Sequence, residues 1–296
     1  DCGYTVKCKR CNITMTYHKN ENKLKCHYCG YEENIVTECP DCHSKNIKYF
    51  GAGTQRLEDE VKSLFPDATI IRMDVDTVSK KNSHEEILDK FRNENIDILI
   101  GTQMVVKGHH FPNVTLVGVI AADNSLNLGD FKANEKTFQT LTQVAGRAGR
   151  GEYEGRVIVQ TYNPDNYAIE YSKIQDYSLF YNTEIELRKQ LKYPPFCDII
   201  VIDMSAKNLA ELQKVAKNLH TYLKTRVINE KFGLLLYSPV PCPVDKIKDR
   251  YRWRMIIKCK YDDRVNNLLT DALNEFIGMK TKTARVNIEL NPNNMI

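Results

Sequence analysis

The sequence predicts an α/β protein built in three successive parts. Three observations predict it. Seven of the ten cysteines lie within the first 42 residues, mostly as close pairs. Apolar runs and helical periodicities alternate from residue 51 to residue 166. After the Pro194-Pro195 pair the pattern becomes strand, helix, two strands, helix, strand. These define a cysteine-rich segment over 1–50, a parallel-sheet domain over 51–166 and an α+β domain over 167–296. A chain of 296 residues has room for about two domains at roughly 150 residues each. Its net charge of +4 places any nucleic-acid binding on local patches rather than on bulk charge. No run of eighteen apolar residues suits a membrane helix, and no apolar signal-peptide core opens the sequence. A reducing compartment is therefore expected, and the cysteines read as metal ligands rather than as disulfides.

The first part contains three C-x-x-C pairs: Cys8/Cys11, Cys26/Cys29 and Cys39/Cys42. A C-x-x-C turn offers two thiolates to one metal with little strain. The C-x2-C-x14-C-x2-C spacing of the first two pairs is close to that of a zinc ribbon. Zinc is expected there rather than an iron–sulfur or redox centre, and a cysteine-only site is expected to be closed and structural. Cys2, Cys39 and Cys42 remain for a second site that lacks one ligand. A partner three residues before Cys2 would precede Asp1, which hints at a fragment; His43 or a water is the other candidate. Cys197, Cys242 and Cys259 are scattered and read as small core residues.

In the second part, strands are expected at 69–73, 96–100, 115–121 and 156–160, with helices at 55–64, 84–91 and 136–148. Such alternation gives a three-layer parallel sheet whose ligands lie at the carboxyl ends of the strands. "ILIGTQMVVKGHHFPNV" ends a strand at Gly101-Thr102, where a backbone N–H and a hydroxyl suit a phosphate, with Lys107-Gly108 following. The same run is also compatible with a plain strand–loop–helix junction. His109 and His110 point apart and read as loop or hydrogen-bonding residues. "TQVAGRAGR" closes the last helix with Arg147 and Arg150 three apart, on one helical face. Two guanidinium forks flanked by Gly146 and Gly149 suit a phosphoryl group; a solvated basic helix end is the plainer reading, which the pairing with the Gly101-Thr102 segment in one α/β domain outweighs. The sequence contains no G-x-x-x-x-G-K-[ST] loop to hold the rest of a nucleotide.

In the third part a helix at 177–191 precedes the prolines. Then come a strand at 199–204, a helix at 209–224, strands at 233–238 and 250–260, a helix at 264–277 and a strand at 284–290. This order is the ferredoxin-like split pattern. In "DRYRWRM" Arg250, Arg252 and Arg254 alternate with Tyr251, Trp253 and Met255. A basic face suits phosphates and exposed aromatics suit bases. Buried aromatics with solvated arginines fit the same pattern.

"GTQMVVKGHHFPNVTLVGVIAAD" and "TQVAGRAGR" together resemble motifs V and VI of the second RecA-like lobe of a superfamily 2 helicase, a parallel-sheet fold of the P-loop NTPase class. With the cysteine pairs upstream, "GAGTQRLEDEV" between and Asp130-Phe131 after, the whole chain resembles the C-terminal part of the primosomal protein N′ (PriA) family of replication-restart helicases. The resemblance implies a 3′-to-5′ DNA helicase that binds ATP with Mg between two lobes. The lobe with the phosphate-binding loop and the D-E-x-H motif is not in this sequence, so the chain alone is expected to be inactive. Gln143, Arg147 and Arg150 match positions that contact the γ-phosphate and sense hydrolysis. Gly101 and Thr102 match the turn that touches the DNA backbone, and Lys107 and Gly108 the part that couples DNA to nucleotide. Asp123 and Asp130 match acidic positions before motif VI. The family implies two nested zincs: one on Cys8, Cys11, Cys26 and Cys29, the other on Cys2, Cys39 and Cys42 with one family cysteine missing. A similar R-Y-R-W in the family favours contact of the arginines with DNA or with single-strand DNA-binding protein. It also implies forked DNA, primosome and helicase-loading proteins as partners and a bacterial, nucleoid-associated cytoplasmic location. A non-enzymatic, zinc-stapled DNA- or protein-binding module is the alternative, and a different superfamily 2 translocase a third reading.

Overall fold

The computed structural model describes residues 6–11, 15–18, 22–26, 29–45, 54–74, 83–106, 111, 113–120, 122–126, 130–146 and 154–295. The chain divides into two compact units. One holds residues 1–48, 129–131 and 185–296; the other holds 49–128 and 132–184.

The first unit opens with three short strands, β1 (Thr16–His18), β2 (Lys23–Lys25) and β3 (Glu32–Asn34), in an antiparallel meander. Asn22 takes a left-handed φ of 49° in the β1–β2 turn, a conformation asparagine tolerates better than most residues. Met15 and Leu24 are buried among the cysteines Cys8, Cys11 and Cys26. That is very little apolar material for a segment this long.

The second unit contains α1 (Thr54–Leu64), β4 (Ile70–Met73), α2 (Ser83–Asn93), β5 (Ile98–Gly101), a short 3-10 turn (Gln103–Val106), β6 (Leu116–Val119), α3 (Asp123–Leu126), α4 (Ala133–Ala145), β7 (Arg156–Val159) and α5 (Tyr167–Lys173). α6 (Tyr177–Gln190) follows and runs into the first unit. Strand and helix alternate as the sequence predicts. Among the described residues, however, the strands form two parallel ladders, β4 with β5 and β6 with β7, rather than one sheet. β4 and β5 bury Met73 and Ile100, and Met73 packs with Leu88 and Phe111. β6 and β7 instead leave Leu116 and Ile158 exposed, so these apolar runs are covered on one face only. A second core joins α4, α5 and α6, where the rings of Phe138 and Phe180 stack at 4.2 Å.

The rest of the first unit is β8 (Asp198–Ala206), α7 (Leu209–Asn229), β9 (Leu235–Leu236), β10 (Val240–Ile247), β11 (Arg250–Cys259), α8 (Asp263–Gly278) and β12 (Arg285–Leu290). The order is β10-β11-β8-β12, antiparallel throughout, with β9 beside the end of β11. One face buries Ile200, Ile202, Met204, Met255 and Ile257 against Leu212, Leu219 and Leu223 of α7 and Leu268 of α8. The other face buries Ile199, Val201 and Met295, next to Phe131 and Tyr193, whose rings stack at 5.0 Å. Lys258 is buried with its ammonium 3.5 Å from the Tyr193 ring and donates to the Leu191 carbonyl at 2.9 Å. Asn208 and Asp262 start α7 and α8 by accepting the amides of Glu211 and Val265.

The main strand between the two helices differs from the sequence expectation. It is β10, over Val240–Ile247, whereas the expected run at 233–238 contributes only the two residues of β9. V-P-C-P-V reads as a loop because proline donates no backbone hydrogen bond. Here Pro241 and Pro243 sit on a sheet-edge strand whose register shifts between Pro241 and Lys246, and there prolines are tolerated. Of the scattered cysteines, Cys242 and Cys259 are buried, as expected; Cys197 is half-buried and donates to the Lys192 carbonyl at 3.1 Å. No described helix is long and apolar enough to cross a membrane.

Trp253 is the only tryptophan and packs against this core, so its emission follows this unit alone. Leu223→Ala, at a fully buried position, is expected to cost about 2–5 kcal/mol of its stability. Urea unfolding followed by that emission measures the loss.

Candidate metal centre and strand-end motifs

The ribbon brings four thiols together. The sulfurs of Cys8, Cys11, Cys26 and Cys29 all lie within 4.8 Å of one another, with Cys8 and Cys29 at 3.6 Å. A tetrahedral zinc with Zn–S bonds of about 2.3 Å places its sulfurs roughly 3.8 Å apart, so the set fits zinc. Local hydrogen bonds shape each loop. The Cys11 amide donates to the Cys8 carbonyl at 3.3 Å, and the Met15 amide to Val6 at 2.9 Å. At the second pair, Gly30 donates to the Cys26 carbonyl at 2.8 Å and Cys26 donates to Tyr31 at 2.9 Å. Gly30 holds a left-handed φ of 70°, which glycine adopts freely. Burial pushes the Cys8, Cys11 and Cys29 thiols up. Without a metal these three thiols keep their protons at neutral pH, and a metal must displace them to bind.

The third pair has the same hydrogen bonds as the second. His43 donates to the Cys39 carbonyl at 2.9 Å, and Cys39 donates to Ser44 at 2.9 Å. His43 takes the left-handed position that Gly30 takes, at φ 55°. Its ring pairs with Glu38 at 3.1 Å. The histidine thus has a backbone role in the loop, which the sequence reading did not assign. Cys39 is buried and Cys42 exposed. Cys2 lies outside the described residues, so the second set of ligands is described only for this pair.

In the other unit Gly101 ends β5. A Cβ there would lie 2.6 Å from the Met73 carbonyl oxygen and run into Val105, so the strand end accepts only glycine without movement. The Thr102 carbonyl accepts the Val105 amide at 3.0 Å and starts the 3-10 turn. Lys107, Gly108, His109 and His110 lie outside the described residues. Gln143 is exposed on α4, while Leu141 and Val144 are buried beside it. The described helix ends at Ala145 with Gly146 as its cap, the Gly146 amide donating to Thr142 at 3.1 Å. Arg147, Gly149 and Arg150 also lie outside the described residues, so their shared helical face is not described.

Asp123 accepts from the Thr161 hydroxyl and the Tyr162 amide, both at 2.9 Å, and the Tyr162 amide holds its carboxyl below the usual range. It braces the loop after β7. Asp130 is buried. One cluster was missed in the sequence: the Thr54 hydroxyl donates to Asp74, and Arg72 lies 3.3 Å from Asp74 and 3.5 Å from Glu58. A hydroxyl opening α1 and an aspartate closing β4 were the available signals.

On β11 the arginines and aromatics alternate as expected. The aromatics are not offered to bases, because Tyr251 and Trp253 pack against the helix-covered core. Arg250 donates to the carbonyls of Ser205 and Thr283 at 2.9 and 2.7 Å, and burial lowers its affinity for its proton. Arg254 donates to the Met295 carbonyl. Arg252 shares their face, in register with Ser205.

The second unit thus carries alternating strands and helices with a glycine at the end of β5, and the first carries a four-thiol ribbon. Residues 39–152 match the family described as helicase conserved C-terminal domain. Residues 8–33 match the PriA DNA helicase Cys-rich region domain, and residues 189–293 the primosomal protein N C-terminal domain. The chain belongs to the PriA family. It is 44% identical over 293 residues to the replication restart protein PriA of Bacillus subtilis, covering 99% of this chain and 36% of that protein. It is 39% identical to the Synechocystis PriA, covering 87% and 31%, and 38% identical to that of Borreliella burgdorferi, covering 98% and 43%. The chain thus spans well under half the length of these relatives.

Gly101→Ala is expected to destabilise the β4–β5 unit by about 1–3 kcal/mol through overpacking. Thermal unfolding of the variant beside the parent measures this. An unchanged midpoint would mean that the strand end relaxes around the methyl group.

Proposed function

We propose that this chain is the C-terminal part of an ATP-dependent 3′-to-5′ DNA helicase that restarts stalled replication forks and assembles the primosome. The reading is carried by one observation: ribbon, helicase and C-terminal family matches follow one another along the chain in that order. Gln143, Arg147 and Arg150, set among Gly146 and Gly149, face the phosphates of ATP·Mg held mainly by another lobe. Guanidinium groups supplied across a cleft stabilise charge developing on the transferring phosphoryl group. Gly101 and Thr102 receive the DNA backbone, and Lys107 and Gly108 relay nucleotide state to it. Gly101 and Thr102 are both exposed at the end of β5, which supports this role.

The functional segments are 1–50, 51–166 and 167–296. The last has the ferredoxin-like split arrangement; with β9 set aside, the order β10-β11-β8-β12 supports that reading. A second zinc sits on Cys2, Cys39 and Cys42, supported by the matching loop geometry at Cys26 and Cys39. Arg250, Arg252 and Arg254 form a weak DNA contact, with Arg252 the freest of the three for it. Forked and single-stranded DNA, single-strand DNA-binding protein and primosome-loading proteins are the partners, in the bacterial cytoplasm at the nucleoid.

ATP hydrolysis with and without single-stranded DNA tests this. The chain alone is expected to show none. Joined to the preceding lobe of a relative it is expected to turn over, and Arg150→Ala to lower that rate about a thousandfold. Equal rates in the joined protein and its variant would overturn the assignment of motif VI.

A further inference from the structure

β10 and β11 are joined by a two-residue turn, Lys248-Asp249, between the paired residues Ile247 and Arg250. Both turn residues are left-handed, at φ 48° and 60°. This is the backbone of the tightest hairpin turns, where glycine and asparagine are usual. Such a turn leaves its two central amides outside the ladder, pointing away from the strands. Here both amides have partners on the metal ribbon. Lys248 N–H donates to the Cys11 sulfur at 3.3 Å, and Asp249 N–H donates to the Arg10 carbonyl at 3.0 Å. The Lys246 ammonium donates to the Lys9 carbonyl at 3.0 Å, and Arg10 lies 3.8 Å from the Asp249 carboxylate. Ile247 packs against the cluster of Cys8, Cys11, Met15, Leu24 and Cys26. The hairpin tip therefore covers one side of the Cys8–Cys11 loop with an apolar side chain and aims a backbone donor at a ligand sulfur.

We propose that this turn is the outer shell of the ribbon's metal centre, so that metal binding at Cys8, Cys11, Cys26 and Cys29 and docking of the β10–β11 hairpin are one coupled equilibrium. A thiolate bound to a divalent cation keeps negative charge that a fixed N–H stabilises, and the Ile247 side chain keeps water from that sulfur. A hydrogen bond to the thiolate is stronger than one to the neutral thiol, so the metal strengthens the docking contact. Linkage then requires the docked hairpin to strengthen metal binding by the same factor. The ribbon is thereby held to the C-terminal sheet through its metal ligand, rather than by a flexible tether.

Two measurements on the full chain test this. The first is hydrogen exchange in zinc-loaded protein and in protein stripped by a chelator under reducing conditions. Stripping is expected to speed exchange at Lys248 and Asp249 at least about tenfold, with the amides between β8 and β12 unchanged. The second is zinc transfer to a chromogenic chelator. Ile247→Asp is expected to speed release about 10–100-fold, the usual effect of losing an outer-shell partner. Lys248→Gly keeps the amide and suits the left-handed backbone, so it is expected to release zinc no faster than the parent. Trp253 emission reports whether the sheet stays folded, and if Ile247→Asp disturbs it, the exchange measurement on the parent protein decides. Unchanged exchange at the turn after stripping, or parental release from a folded Ile247→Asp, overturns the proposal.

Discussion

Four thiols within 4.8 Å of one another hold a segment that has almost no core of its own. Its three strands are three residues each, and among its described residues beyond the cysteines Met15 and Leu24 alone are fully buried, with Val6, Tyr17, Tyr31 and Val36 partly buried against them. Burying two such side chains contributes about 1.5–3 kcal/mol each, against about 1 kcal/mol or more for ordering every backbone residue. Hydrophobic burial cannot order this ribbon. Ligation of a metal supplies the difference, and the loops are shaped in advance for it by the amides around Cys8, Cys26 and Gly30. A cysteine-only set of this kind suits a closed, structural metal site.

The rest of the same unit is stabilised differently. β8 is the central strand, paired on both sides and buried on both faces: Ile200, Ile202 and Met204 under the helices, Ile199 and Val201 on the other side. The arginines of β11 show how such a sheet limits function. Arg250 and Arg254 spend their donors on backbone carbonyls of Ser205, Thr283 and Met295, so a basic-looking strand is partly an internal fastening. The hairpin tip beyond them is where sheet and ribbon meet.

Much of this was legible in the sequence. The C-x-x-C spacing gave the ligand set, the strand–helix alternation gave the parallel pairs, and the alternation in R-Y-R-W-R-M gave the two faces of β11. β10 was not legible, because its prolines mimic a loop unless the strand is known to lie at an edge. The His43 backbone role was hidden too, since histidine beside cysteines reads as a ligand. The Lys248 donor could not be read at all. It is a backbone amide 237 residues from its acceptor, and no side-chain pattern encodes such a contact.

Native mass spectrometry of the reduced chain and of its Cys26→Ser variant tests the central claim most directly. Loss of one zinc per chain in the variant, with greater protease sensitivity in the ribbon and at the β10–β11 turn docked on it, is the result this account requires. An unchanged metal count, or a variant ribbon as resistant as the parent's, would contradict it.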